Sequence, residues 1–394
     1  CILNAGQDSS FIQNKASGSA NASDGNGFGD FYYAPPTDFL ACASPNIPTS
    51  SDIDPAGDDG DTDNNSKHFG VVTYTGNGSS NAITGLGFQP DLVWGKCISA
   101  SQTGILIDSS RGQGLLFSSL ANAEQTSNGP FMTSYDSDGF TLASSGSNPN
   151  DSGRTYVAWC WRANGASTSS NSSGSITSTV QANTKGGFSI MTYTGTGSNA
   201  TIGHGLSAKP DFILTKRRSS EQTWGVYHTS LGATKYLALN SSAAAGTDST
   251  FWNNTEPTTS VISLGTEGRV NQNSGTYVAY AWHSVSGFSR FGSFQGNADN
   301  DGTFVYTGFR PRMLFIKNTA SASPWCVYDT ARPSFNPSYL VGWDEATAQN
   351  TSSYPIDILS NGFKIRTSNA TVNSAHTWVF GAWGNPSFKY NNTF

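Results

Sequence analysis

The sequence predicts an all-β chain of three tandem β-sandwich units, lectin- or jelly-roll-like, each of about 100 residues. Three observations carry this. Short apolar runs rich in β-branched and aromatic residues alternate with Gly/Asn/Ser turns. Only 12% of residues are charged, while aromatics reach 12%, enough large apolar area for packed cores. Lastly, one line is written three times: TYVAWCW at Thr155–Trp161, TYVAYAW at Thr276–Trp282 and TWVFGAW at Thr377–Trp383.

Residues 1–48 read as an extended arm or the end of a preceding domain. The stretch FYYAPPTDFL (Phe31–Leu40) is held extended by its prolines and exposes aromatics unless something covers it. The chain opens on Cys1 rather than Met, so the true N-terminus is expected to be missing. Residues 49–66 form an acidic linker. Its Asp58, Asp59, Asp61 and Asp63 are the calcium candidates, because hard oxygen ligands cluster there, although no twelfth-position Glu completes an EF-hand.

The first unit spans 67–165. An alternating strand ends in Tyr74-Thr75-Gly76, and a Gly/Asn-rich loop runs to Pro90. Then come the apolar run DLVWGK, the strand GILIDSSRG, SDGFTL with an Asp-Gly hairpin turn, and the closing line. A Ser/Thr/Asn linker over 166–185 leads to the second unit, 186–287, and the third, 288–394. Both repeat the order, with Tyr193-Thr194-Gly195 and Phe294-Gln295-Gly296, DFILTK and RMLFIK, GVYHTSLG and CVYDTARP, TSVISL and SNGFKI. Pro90, Pro210 and Pro311 are 120 and then 101 residues apart, and the closing lines 121 and then 101. Two independent anchors with nearly equal offsets define a repeat, and the linker accounts for the longer first spacing.

Alternation puts Tyr156, Ala158 and Cys160 on one face of the closing strand and Val157, Trp159 and Trp161 on the other. A strand apolar on both faces belongs at the centre of a core. Tyr156, Trp161, Tyr277, Trp282, Trp378 and Trp383 are therefore assigned to the structural core. Five cysteines (Cys1, Cys42, Cys97, Cys160, Cys326) form no CxxC pair, which argues against a cysteine zinc site. Cys97, Cys160 and Cys326 have no cysteine counterpart in the other copies and read as small core residues.

A net charge of −6, with Arg217-Arg218 the densest basic spot, excludes nucleic acid as the main partner. No apolar run approaches the roughly 20 residues of a membrane span, so no membrane insertion is expected. No catalytic residues emerge. Asp108 and Asp329 hold equivalent positions, but His228 stands there in the second copy, and the five histidines lack metal-ligand spacing. YDSDGF (Tyr135–Phe140) starts like a calcium loop yet becomes ILSNGF in the third copy, so it reads as a turn. Ligand-binding candidates are the loops Asn77–Phe88, Thr196–Lys209 and Asn297–Arg310, represented by Asn77, Asn199 and Asn297. Trp252 and Trp343, outside the repeated motifs, join them if they are exposed.

The segment GFGDFYYAPPTDFLACASPNIP (Gly27–Pro48) resembles part of large virion proteins of tailed, especially marine, bacteriophages. There it closes a lectin-like sandwich domain of the SPRY or concanavalin type and leads into tandem repeats. QPDLVWGK, SYDSDGFTL, TYVAWCW, GFRPRMLFIKN, VYDTARPSFNP and IDILSNGFKIRTSNATVN are similar to those repeats, so the resemblance covers the chain after about residue 20. It departs in the second copy, which lacks the Asp-Gly-Phe turn, and in the third, whose first loop is shortened. The resemblance implies a non-catalytic tail-fibre or tail-tip protein on the virion surface, attached to other virion proteins. A homo-oligomer, trimeric in fibres, and a host-surface glycan as ligand are its further implications. The alternatives are a capsid-decoration or fibre-spacer protein, a polysaccharide-degrading enzyme, and an excreted bacterial adhesin.

Overall fold

The computed structural model describes residues 67–384, apart from 127–130, 145–147, 334 and 351, together with 22–28, 31, 33–37 and 39–41. Asp58, Asp59, Asp61 and Asp63 lie outside the described residues, as do Cys1 and Cys42. In the N-terminal stretch, Ala22 bridges Phe31, and the Asp24 carboxylate accepts backbone hydrogen bonds from Asn26, Phe28 and Ala41. Tyr33, Phe39 and Leu40 are exposed.

The chain is all-β and built from several antiparallel sheets. Copy 1 comprises β1 (Phe69–Thr75), β2 (Asn81–Thr84), β3 (Leu92–Cys97), β4 (Ile105–Asp108), β5 (Leu116–Phe117), β6 (Met132–Asp136), β7 (Gly139–Leu142) and β8 (Thr155–Trp161). Its larger sheet runs β1-β8-β3-β4-β5, with the closing strand β8 between two partners, and the smaller runs β2-β7-β6. The segment expected as a linker, 166–185, instead contains β9 (Ser169–Asn171) and β10 (Ser178–Asn183). Val180 and Gln181 of β10 are buried, and β10 pairs along β11 (Phe188–Thr194), so this stretch extends the sheet of copy 2.

Copy 2 continues with β12 (Ala200–Gly203), β13 (Phe212–Arg217), β14 (Gly225–His228), β15 (Lys235–Tyr236), β16 (Gly246–Thr247), β17 (Val261–Leu264) and β18 (Thr276–Trp282). Its large sheet runs β14-β13-β18-β11-β10-β9, and β12 pairs with β17 alone. The short helices α1 (Ser249–Trp252) and α2 (Gly268–Asn271) flank β17. Copy 3 comprises β19 (Ser289–Gln295), β20 (Phe304–Tyr306), β21 (Pro311–Asn318), β22 (Cys326–Asp329), β23 (Val341–Gly342), β24 (Ile356–Leu359), β25 (Gly362–Ile365), α3 (Ala370–Asn373) and β26 (Thr377–Gly384). Its sheets, β19-β26-β21-β22-β23 and β20-β25-β24, match copy 1 strand for strand.

One face of each large sheet packs on the smaller sheet of its own copy, giving three separate outer cores. The other face joins a single shared core to which all three copies contribute. At its centre Trp161, Trp282 and Trp383, the last aromatic of each closing line, contact one another edge-to-face with ring centroids 5.3–6.0 Å apart. All six aromatics assigned to the core are fully buried, as are Cys97, Cys160 and Cys326.

Equivalent residues link the copies in a ring. The lysine that closes each apolar run is buried and donates to a carbonyl of its own copy and one of a neighbour. Lys96 reaches Glu345 (2.7 Å), Lys216 reaches Ala121 (2.7 Å) and Lys317 reaches Ser242 (2.7 Å). Burial lowers each ammonium to about 8. A second ring runs the other way. Asp108 accepts from Tyr280 Oη (2.6 Å), Asp329 accepts from Trp159 Nε1 (3.2 Å), and His228 Nε2 faces the Phe380 carbonyl (3.1 Å). The two aspartates also pair with Arg111 and Arg332 within their own copies, so these candidate acids are structural ion pairs.

The closure makes two outcomes testable. Trp282→Ala should destabilise the whole chain by about 3–5 kcal/mol, as expected for a fully buried tryptophan, read as one cooperative urea transition at a lower midpoint. Residues 67–165 expressed alone should fail to give a folded monomer by circular dichroism and gel filtration, because their share of the common core would face water.

A third prediction concerns acid. His228 Nδ1 accepts from Ser230 N and His204 Nδ1 accepts from Leu206 N, so each ring carries its proton on Nε2, which faces a carbonyl. Protonating either ring sets N–H against N–H, and burial holds both pKa values down at about 4. A depressed histidine stabilises the fold above its unfolded pKa of roughly 6.5 and loses this as pH falls towards the folded value. Asp344, raised by burial to about 6, acts in the opposite sense between pH 4 and 6, but it is one group against two. The melting temperature should therefore fall between pH 7 and pH 4.5, and the His204→Gln/His228→Gln double variant should show a flatter slope.

Candidate functional site

The sequence candidates separate once placed. Trp252 and Trp343 are each 1% exposed and cannot meet a ligand in solution. Trp252 sits in α1, packed edge-on to Tyr227 at 5.8 Å, where α1 lies on β17 in the place that β6 and β24 take in the other copies. Trp343 stacks on Trp94 of copy 1 at 4.0 Å. The reason is a gap in the repeat. Copies 2 and 3 place Trp224 and Trp325 at their junctions, each donating its indole N–H to a neighbouring copy's carbonyl, whereas copy 1 has Gly104 there. Trp343 fills the third junction.

Asn77, Asn199 and Asn297 are exposed, one per copy, Asn77 and Asn297 at the start of their first loops and Asn199 just before β12, and they are not brought together. Their side chains bond within or beside their own loops, to Ser80 O, Asn253 Oδ1 and Asp301 O. What pins each loop is a buried asparagine that sequence reasoning passed over. Asn150, Asn271 and Asn373 accept from the backbone amides of Asn77, Thr196 and Asn297 and donate back to loop carbonyls. The signal was available: each stands four or five residues before a closing line. The glycine ending each Tyr-Thr-Gly motif has the same origin. A Cβ at Gly76, Gly195 or Gly296 would lie 2.3, 2.4 or 2.1 Å from a carbonyl of the segment that follows this asparagine. The YDSDGF segment forms the β6–β7 hairpin, and Asp138 there accepts from the amides of Gly85 and Gly87.

A groove does occur beside the third candidate loop region, Asn297–Arg310, which contributes only Phe304, Val305 and Tyr306 to it, most of its lining coming from β19. It has a volume of about 420 Å³ and runs between β19 and β20, the adjacent free edges of the two sheets of copy 3. Phe294, Phe304, Tyr306 and Phe380 supply aromatic walls, Arg290 the one charged group of the lining among the described residues, and Ser230 a rim from copy 2. Phe304 and Tyr306 are 44% and 54% exposed, and the Arg290 guanidinium lies 5.4 Å from the Tyr306 ring centroid.

Each of these features is specific to copy 3. By register, Arg290 corresponds to Gly70 and Ser189, which the first loop covers: Gly70 lies under Leu86 and Phe88, and Ser189 Oγ donates to His204 O. Gly292 corresponds to Val72 and Met191, exchanging bulk with Phe380, whose counterparts are Ala158 and Ala279. Phe304 and Tyr306 correspond to Ala82 and Thr84 in copy 1 and to Thr201 and Gly203 in copy 2. In copy 2 the same edge is sealed by β10 and β9. The expected shortening of the third loop is not found: Pro311 follows Gly296 by 15 positions, against 14 from Gly76 to Pro90 and 15 from Gly195 to Pro210, because the part before Val305 is longer than in the other copies and offsets the shorter end.

The chain belongs to the protein family described as a domain of unknown function, DUF7483, whose profile matches residues 64–386. The match begins just before β1 and ends just after β26, so it spans all three copies. Neither the curated proteins nor the solved structures contain a match to the chain.

Proposed function

We propose that this chain is a surface protein of a bacteriophage virion, a fibre or tail-tip component whose three β-sandwich repeats attach to a host-surface glycan without catalysis. The observation that carries the binding role is the copy-3 groove. Exposed Phe304 and Tyr306 contribute nothing that the fold requires at that position, since Ala82 and Thr84 serve in copy 1. Aromatic faces beside hydroxyls and one guanidinium suit a sugar ring, which offers an apolar C–H face and an equatorial fringe of hydroxyls. The volume falls within the range of small-ligand sites. Other virion proteins and further copies of the chain are the partners this reading expects, with oligomerisation multiplying one weak groove per chain. A rigid spacer or capsid-decoration role is the second reading, favoured by the two rings of contacts that lock the copies into one block.

The purified chain at micromolar concentration should bind susceptible host cells saturably and block virion adsorption. Phe304→Ala/Tyr306→Ala should weaken that binding about tenfold or more, the loss of roughly 1.4 kcal/mol expected for such contacts. The melting temperature should stay nearly unchanged, as exposed positions affect stability little. Absence of binding by the folded native oligomer would transfer the assignment to the spacer.

A further inference from the structure

We infer that the copy-3 groove selects an acidic sugar, one carrying a carboxylate or sulfate, with Arg290 as the residue that makes the choice; this rests on the proposed glycan-binding reading. Among the described residues the groove lining contains one charged residue, Arg290, and no carboxylate. Among the described residues Arg290 forms no ion pair, whereas nearby cations are engaged: Lys364 with Asp301 (2.7 Å) and Arg366 with Asp357 (3.3 Å). Its guanidinium carbon lies 5.4 Å from the Tyr306 ring centroid, a contact that uses none of its N–H groups as hydrogen-bond donors to an oxygen, and a guanidinium can meet an oxyanion with two parallel hydrogen bonds. The chain as a whole carries −6, so general attraction to a polyanion is absent and acceptance of an acidic sugar must be local.

An extended peptide is the competing occupant, because β10 and β9 fill the equivalent edge in copy 2. The edge of β19 is poorly disposed for it. Ser289 is already bridged to Val285, Phe291 N donates to Ser284 Oγ, and Gln295 O accepts from Thr303 Oγ1, which leaves only the middle of the strand open. An arginine on that edge further discourages strand addition.

The experiment titrates the full chain by calorimetry, at low and moderate salt, with three hexasaccharides: a galacturonate, a sulfated galactan and a neutral galactan. A synthetic peptide of residues 175–184 serves as a fourth probe. The expected result is that at least one acidic sugar binds tenfold or more tighter than the neutral one, that Arg290→Gln removes this margin, and that Tyr306→Ala weakens all sugars. Melting temperatures confirm that both exposed-site variants fold. Equal binding of acidic and neutral sugars, lost in Tyr306→Ala but not in Arg290→Gln, would overturn the acidic preference and leave the groove a sugar site. Binding by none of the sugars, or binding indifferent to Tyr306→Ala, would overturn the glycan reading and this inference with it. Binding of the peptide in place of sugars would do the same and assign the groove to a strand.

Discussion

Burial of the closing strand on both faces governs the molecule. A strand with Trp159 and Trp161 on one side and Tyr156, Ala158 and Cys160 on the other has no face to offer water, so each copy needs two partners. Its own smaller sheet supplies one. The second can come only from outside the copy, and three such strands satisfy one another at once by meeting at Trp161, Trp282 and Trp383. Three tandem copies are thus a closed ring around one core rather than beads on a string, and the family match over all three copies agrees with that unit.

Closure also explains where the copies were free to diverge. Positions facing the shared core can change only with compensation, across a junction or within a copy. Gly104 is matched by Trp343 from another copy, and Gly381 leaves room for the rings of Phe291 and Phe315, which a Cβ would meet at 2.7 and 2.5 Å. The outer edges have no such constraint. Copy 2 spent that freedom on β9 and β10, and copy 3 on a groove.

The repeat and the order of its strands were legible because they rest on local periodicity and self-similarity. The shared core was half legible. The double-sided strand was plain from Trp159 and Tyr156, but a single copy's pattern does not say whether its second face meets its own chain, a sibling copy or another molecule. The stretch 166–185 looked like a linker because Ser, Thr and Asn dominate, yet Val180 and Gln181 bury themselves through edge pairing, which composition does not reveal. Trp252 and Trp343 were misread for one reason. A tryptophan outside a repeated motif can be a local repair of the repeat as easily as a ligand platform. The groove needed three dimensions, since Arg290, Phe304 and Ser230 come from three separate segments.

Core and groove are connected through one histidine. His228 takes the Ser230 amide on Nδ1 and offers Nε2–H to the Phe380 carbonyl. Ser230 is the rim of the groove contributed by copy 2, and the Phe380 ring is one of its aromatic walls, the one we take as its floor because its strand lies beneath. Phe380 belongs to β26, whose opposite face carries Trp383 into the shared core. The floor is therefore held by a strand packed on both sides, and the rim is tied to that floor by a neutral ring whose second proton would oppose the Ser230 amide. A groove built this way keeps its shape without a ligand, so little ordering of the protein would oppose binding. The same hydrogen bonds make the shape depend on the junction between copies 2 and 3, and a copy 3 cut from the ring would lose the groove's rim together with the aromatic core beneath it.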